Sequence, residues 1–314
     1  MDELVAALGR NLSAAEVERL YVDGATWFGS DPLGTHRGRP AIAGHFASMA
    51  GSWDGVEREP LASFVTEEGD ARSLVVVGAW RGRMVAPWRG LPATGRTHRV
   101  RSLEVHRLEG GRVSESTVML DLLDLAAQCG RWERPGVTGA GEPWPGPSRV
   151  HEGDSASSAA AVSTWLSEVA DPGDDLDVLL RARHLSRLSD GFRWHGPAAV
   201  GSFDGGAAFV AGQQHPFRRS FPRRVAGTSA PGHRRIVHGA SGSFVASGSW
   251  PAMVGTHSGP AWLGLPASGR SVELRIVDVY AVGDGRISEN WVMIDMVHAL
   301  EQMGVSTGFE ESAR

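Results

Sequence analysis

The chain has 314 residues, 41% hydrophobic and 21% charged, enough for two ordinary globular domains with their own cores. A net charge of −5 gives no general attraction to nucleic acid, and no apolar run approaches the roughly 20 residues that cross a bilayer. Cys129 is the sole cysteine and lysine is absent, which excludes an internal disulfide and lysine Schiff-base catalysis.

The acidic start Met1-Asp2-Glu3 is not a secretory pattern, so a cytoplasmic protein is expected. In chain order, Ser13 to Glu16 forms a capping-box pattern that opens a helical, amphipathic stretch reaching Trp27. Arg39 to Trp53 reads as a second helix. Strand signals follow, such as Ser73 to Trp80. Residues 132–157, rich in Pro, Gly and Ser, read as a linker. Strand signals return from Gly242 to Trp250.

The same order occurs twice. Residues 90–130 match 264–304 at 17 of 41 positions without a gap, beginning with Gly90-Leu-Pro-Ala-Thr-Gly-Arg96 and Gly264-Leu-Pro-Ala-Ser-Gly-Arg270. This is an internal duplication. Further upstream Trp27 aligns with Trp194 and Gly34 with Gly201. The domains are therefore 1–131 and 158–314. Helices followed by runs of strands define an α+β class.

The terminal hairpin of each repeat carries the most chemistry. In repeat 2, Val272–Val282 and Arg286–Ile294 read as strands about an Asp284-Gly285 turn. Taking that turn as the centre sets Tyr280 opposite Glu289, and Asp278 opposite Trp291. Strand side chains alternate faces. Tyr280, Asp278, Glu289, Trp291, Met293 and Asp295 then share one face, with Val277, Val279, Asn290, Val292 and Ile294 on the other. Repeat 1 follows suit about Gly110-Gly111, with His106 opposite Glu115 and Glu104 opposite Thr117. A face mixing aromatic, sulfur and carboxylate groups suits a ligand pocket.

These segments resemble the SnoaL-like polyketide cyclases of the nuclear-transport-factor-2-like superfamily. The likeness rests on Gly255-Thr-His-Ser-Gly259, Gly264 to Arg270, Asp284-Gly-Arg-Ile-Ser-Glu-Asn-Trp-Val-Met-Ile-Asp295 and Gln302-Met-Gly304. It covers roughly the last 50 residues of each domain. It implies two cone-like curved mixed sheets, each covered by N-terminal helices and paired as a tandem pseudo-dimer. It also implies general acid/base catalysis without cofactor or metal, by the aspartate that closes the hairpin. That position is Asp295 in repeat 2 and Asp121 in repeat 1. Both also stand where a helix N-cap belongs, an alternative that remains open here.

His257 is a candidate donor to a developing enolate, and Trp194 a candidate pocket wall. Repeat 1 has Thr117 in place of the tryptophan and a shortened loop before Gly90, so repeat 2 is the expected site and repeat 1 a degenerate partner. Residues 205–272 hold seven arginines and no acid, which suits a solvated edge or a contact with the acidic other half. The expected activity is acid/base chemistry on a hydrophobic carbonyl compound, for example aldol cyclisation. The expected partners are a hydrophobic small molecule and the other repeat, with no nucleic acid or membrane; further homo-oligomerisation is left open. The alternatives are a non-catalytic ligand-binding or assembly module, and an epoxide hydrolase or isomerase.

Overall fold

In the computed structural model, residues 2–69, 71–132, 143–148, 152–170, 175–259 and 262–309 are described. Repeat 1 begins with α1 (Asp2–Leu8) and α2 (Ala14–Leu20). The capping box forms as expected: Glu16 N–H and the Ser13 side chain pair, and Glu16 reaches back to the Ser13 amide. The helix stops at Leu20, however, and Tyr21–Gly29 is a strand, β1. Its Val, Thr, Trp and Phe residues favour extended backbone, and parallel pairing with a later strand fixes them there. β2 (Thr35–Arg37) and α3 (Arg39–Ser52) follow, then β3 (Trp53–Glu68), β4 (Ala71–Met84), β5 (Thr97–Glu109), β6 (Arg112–Leu120) and α4 (Leu122–Gln128).

Repeat 2 follows the same plan. Its helices α5 (Ser155–Ala170) and α6 (Leu176–Leu180) precede β7 (Leu188–His195) and β8 (Ser202–Asp204). A helical run then comprises α7 (Gly206–Phe209), a π turn (Val210–Gln214) and α8 (His215–Ser220). The strands β9 (Val225–Ala226), β10 (Arg234–Ser241), β11 (Phe244–Thr256), β12 (Ser271–Gly283) and β13 (Arg286–Ile294) precede α9 (Met296–Gln302).

The first sheet runs β2-β1-β6-β5-β4-β3 and the second β10-β11-β12-β13-β7-β8, with β9 beside β11. In each, one parallel pair (β1 with β6, β7 with β13) brings the first strand back against the last hairpin. Both domains are thus α+β with mixed, unclosed sheets. One sheet face packs on its own helices. The other faces meet in a shared apolar layer that includes Val75, Leu103 and Met119 of repeat 1 and Val279, Trp291 and Met293 of repeat 2. Trp144, from the segment between the domains, is buried in that layer and donates to the Gly196 carbonyl at 3.1 Å.

Arginines of the acid-free segment reach the other half. Arg234 pairs with Glu115 at 2.6 Å and lies 3.6 Å above the Phe28 ring, and Arg235 pairs with Glu68 at 2.8 Å. No helix among the described residues is long and apolar enough to cross a membrane.

Candidate active site

The hairpin register decides which side chains face the ligand side. The Asp284-Gly285 turn is present, with φ of 51° and 72°. Val282 pairs with Ile287, but Ala281 pairs with Glu289, so Ser288 is an extra residue, a β-bulge. Its hydroxyl donates to the Ala281 carbonyl at 3.1 Å. Beyond the bulge Tyr280 lies opposite Asn290, and Asp278 opposite Val292. The unbulged register above is off by one, and one residue of slip reverses a strand's faces. Glu289, Trp291 and Met293 therefore turn toward the other domain. Asn290, Val292 and Ile294 join Asp278 and Tyr280. Repeat 1 repeats the bulge at Ser114: His106 pairs with Ser116 and Glu104 with Val118.

Each displaced residue has a role at the domain boundary. Trp291 stacks on His195 with ring centroids 5.5 Å apart and donates to the Pro145 carbonyl at 3.1 Å. Glu289 is buried, accepts from the Ser148 amide at 3.0 Å and pairs with Arg193. Met293 is wholly buried between the sheets.

Asp295 and Asp121 are helix caps locked into the same boundary. Asp295 accepts from the His298 amide at 3.2 Å and the Asp31 amide at 2.9 Å, and sits 3.2 Å from Arg275. Asp121 accepts from the Asp124 amide at 3.3 Å and the Ala198 amide at 2.8 Å, and sits 2.7 Å from Arg101. Burial raises the Asp295 pKa against the pull of Arg275. Neither aspartate lines the repeat 2 cavity. His257 is also absent from that lining. It is fully buried beneath its loop, 3.2 Å from the Ser268 hydroxyl and against the Phe221 ring, and burial lowers its pKa.

The cavity lies between the helices and sheet of repeat 2 and has a volume of about 360 Å³. Its apolar walls include Trp165, Trp194, Phe209, Phe217, Met253 and Val292. Its polar groups include Asp278, Tyr280, Asn290 and Gln214, and the arginines Arg218 and Arg224 also line it. The Asp278 carboxylate accepts from Asn290 Nδ2 at 3.3 Å, and Tyr280 also hydrogen-bonds to it. Burial pushes Asp278 up to about 7, against the smaller pull of its hydrogen bonds from Asn290 and Tyr280. Burial, with Asp278 adjacent, raises Tyr280 well above the ordinary phenol value, so it stays protonated.

Repeat 1 places Glu104, His106 and Ser116 at the corresponding positions, with the opposite electrostatics. Burial alone would raise Glu104, but Arg58 at 3.1 Å, with His106 and Trp80, holds it down at about 2. Trp80 Nε1 donates to it at 2.7 Å, and the Arg58 guanidinium stacks on the Trp80 ring at 4.0 Å. A carboxylate so satisfied is a poor base near neutral pH.

Two family models match the chain, a SnoaL-like domain over residues 2–116 and a SnoaL-like polyketide cyclase over residues 246–303. The chain is a tandem SnoaL-like protein. The two matches fall in different sheets, as the duplication requires. Solved structures similar to this SnoaL-like protein include a "putative SnoaL-like polyketide cyclase" from Jannaschia sp. CCS1, at 18% identity over 51% of this chain and 99% of that one, with a TM-score of 0.38. Another is wild-type IdmH from Streptomyces antibioticus, titled "a putative polyketide cyclase", at 23% identity over 47% and 99% of the two chains, with a TM-score of 0.35. No curated protein matches the chain.

Asp278, Tyr280 and Trp194, all pocket candidates from the sequence, do meet in one cavity. Asn290 joins them, on the opposite face from the one its unbulged register predicts, and so does Gln214, which no sequence motif marks. The available signal was weak: a serine at the same place in both hairpins, Ser114 and Ser288, each one residue before the glutamate of its own repeat, Glu115 and Glu289.

Proposed function

We propose that the repeat 2 cavity is an acid/base site for enolisation of an apolar carbonyl compound, with Asp278 as the group that takes and returns the proton. The observation that carries this is one carboxylate, in an apolar aromatic cavity, with a pKa of about 7. A base works best when its pKa lies near the working pH. Ionised Asp278 removes a proton from the carbon beside the carbonyl, and the electron pair moves onto the carbonyl oxygen as an enolate. Return of the proton to another carbon is an isomerisation. Attack of the enolate carbon on a second carbonyl is an aldol ring closure, the reaction class that the polyketide cyclase match favours. Asn290 orients the carboxylate, and Tyr280 remains a neutral proton donor.

Exchange of the α-hydrogens of 2-tetralone in D2O, followed by NMR, tests the reading. The wild-type protein should accelerate exchange, and Asp278→Asn should slow it by about 100-fold. Binding of 2-tetralone without accelerated exchange would instead identify a ligand-carrying module.

A further inference from the structure

The helical run that covers the cavity differs from its counterpart in repeat 1. α3 is a continuous α-helix, whereas α7 and α8 are separated by the π turn Val210–Gln214. Such turns re-aim side chains and recur at functional sites. Gln214 closes this one. It is 5% exposed and lines the cavity together with Asp278, Tyr280 and Asn290.

Gln214 is held from behind. His184, 1% exposed, places Nε2 at 3.1 Å from the Gln214 Oε1. Burial lowers the His184 pKa, so the ring is neutral and carries one N–H. Its Nδ1 has no hydrogen-bond partner among the described residues. With the proton on Nε2, the ring donates to Oε1 and leaves only a bare acceptor. With the proton on Nδ1, a buried N–H would be orphaned, and orphaned N–H groups are the rarer of the two. The Gln214 oxygen is therefore occupied. Its carboxamide nitrogen, which makes no hydrogen bond to a described residue, is the end left for the cavity.

We infer that Gln214 donates a hydrogen bond to the substrate's carbonyl oxygen and that His184 is the positioning residue that fixes it; this rests on the enolisation reading above. The reason is electrostatic. When Asp278 takes the proton, negative charge moves onto the oxygen, and a donor already aimed there needs no reorganisation. Tyr280 is engaged with Asp278, so a separate donor is required for the oxygen. Repeat 1 lacks the device. At the spacing that relates Trp27 to Trp194 and Gly38 to Gly205, His184 and Gln214 correspond to Val17 and Ala47.

The test uses 2-naphthol, whose ionised oxygen resembles the enolate of 2-tetralone, with binding followed by calorimetry beside the exchange assay. Gln214→Met keeps the bulk without the donor. It should weaken 2-naphthol binding at least 10-fold and lower the exchange kcat by about 100-fold, with KM for 2-tetralone little changed. Gln214→Glu, nearly the same shape, should weaken 2-naphthol as much or more. His184→Phe should reproduce part of the loss, and His184→Gln, which restores a donor toward Gln214, should recover it. Wild-type binding and exchange in both Gln214 variants, while Asp278→Asn abolishes exchange, would overturn the role of Gln214 and leave the enolisation site standing. Unchanged exchange in Asp278→Asn as well would overturn both.

Discussion

The Asp31 backbone amide donates to the Asp295 carboxylate across the domain boundary at 2.9 Å. The pseudo-symmetric contact, from the Ala198 amide to Asp121, is 2.8 Å long. Each aspartate thus closes its hairpin, caps the next helix and fastens the first strand–turn of the opposite repeat. The two-domain arrangement is built around this reciprocal pair, which accounts for an aspartate at the same place in both repeats.

Removing either carboxylate should therefore show first in stability. Asp295→Ala leaves the Asp31 and His298 amides without their acceptor and Arg275 with Asp31 as its remaining carboxylate, and orphaning buried donors costs about 1–3 kcal/mol each. Urea denaturation measures it. Asp295→Asn should lose less, because it still caps the helix. Its 2-tetralone exchange per folded molecule should match wild type; a 100-fold drop would return Asp295 to the chemistry.

Asp278 ties activity and stability to pH in opposite directions. Its folded pKa of about 7 lies above the unfolded value of 3.8. The folded state then holds the extra proton between those limits, so the stabilisation is complete below pH 3.8 and is lost as pH rises to 7. The slope is at most about 1.4 kcal/mol per pH unit. Exchange needs the ionised form and should rise with pH, levelling above about 7. Asp278→Asn should remove both dependences, as read by denaturation and rate profiles from pH 5 to 9.

His45 provides an independent acid-sensitive point. Its ring lies between Trp27 and His36, at 4.2 and 4.4 Å, and neither nitrogen has a partner among the described residues. Burial, with His36 and Arg89 adding repulsion, lowers it to about 3. Stability is thus intact above pH 6.5 and falls as pH drops toward 3. His45→Phe should flatten this fall, making the variant more stable than wild type at pH 5, with a much smaller difference at pH 8, by thermal melting.

The bulge makes a sharp prediction about Trp291. Because Ser288 turns that side chain toward the other sheet, Trp291→Ala should cost about 3–5 kcal/mol as a buried cavity mutation. Its affinity for 2-tetralone, measured on the folded fraction, should stay within about threefold of wild type, whereas Trp194→Ala should weaken it more. The opposite ranking would place Trp291 in the cavity.

The sequence by itself determined the duplication, the α+β class, the capping box at Ser13, the α3 helix and the two hairpins, because each is written in short-range patterns of spacing, turn residues and identity. It also paired Asp278 with Tyr280, since two residues apart on a strand always share a face. It did not determine which face of β13 met them. Ser288 can be paired or bulged with no local penalty that a residue pattern reveals, and the sheet-to-sheet packing of Trp291 and Met293 decided it. Likewise Tyr21–Trp27 joins no helix because β6, some 90 residues away, supplies its hydrogen-bond partners. The pKa values of Asp278 and Glu104 diverge for the same kind of reason. The two acids occupy equivalent positions, but the tertiary fold brings Arg58 to 3.1 Å from Glu104, whereas among the described residues Asp278 is hydrogen-bonded by the neutral Asn290 and Tyr280.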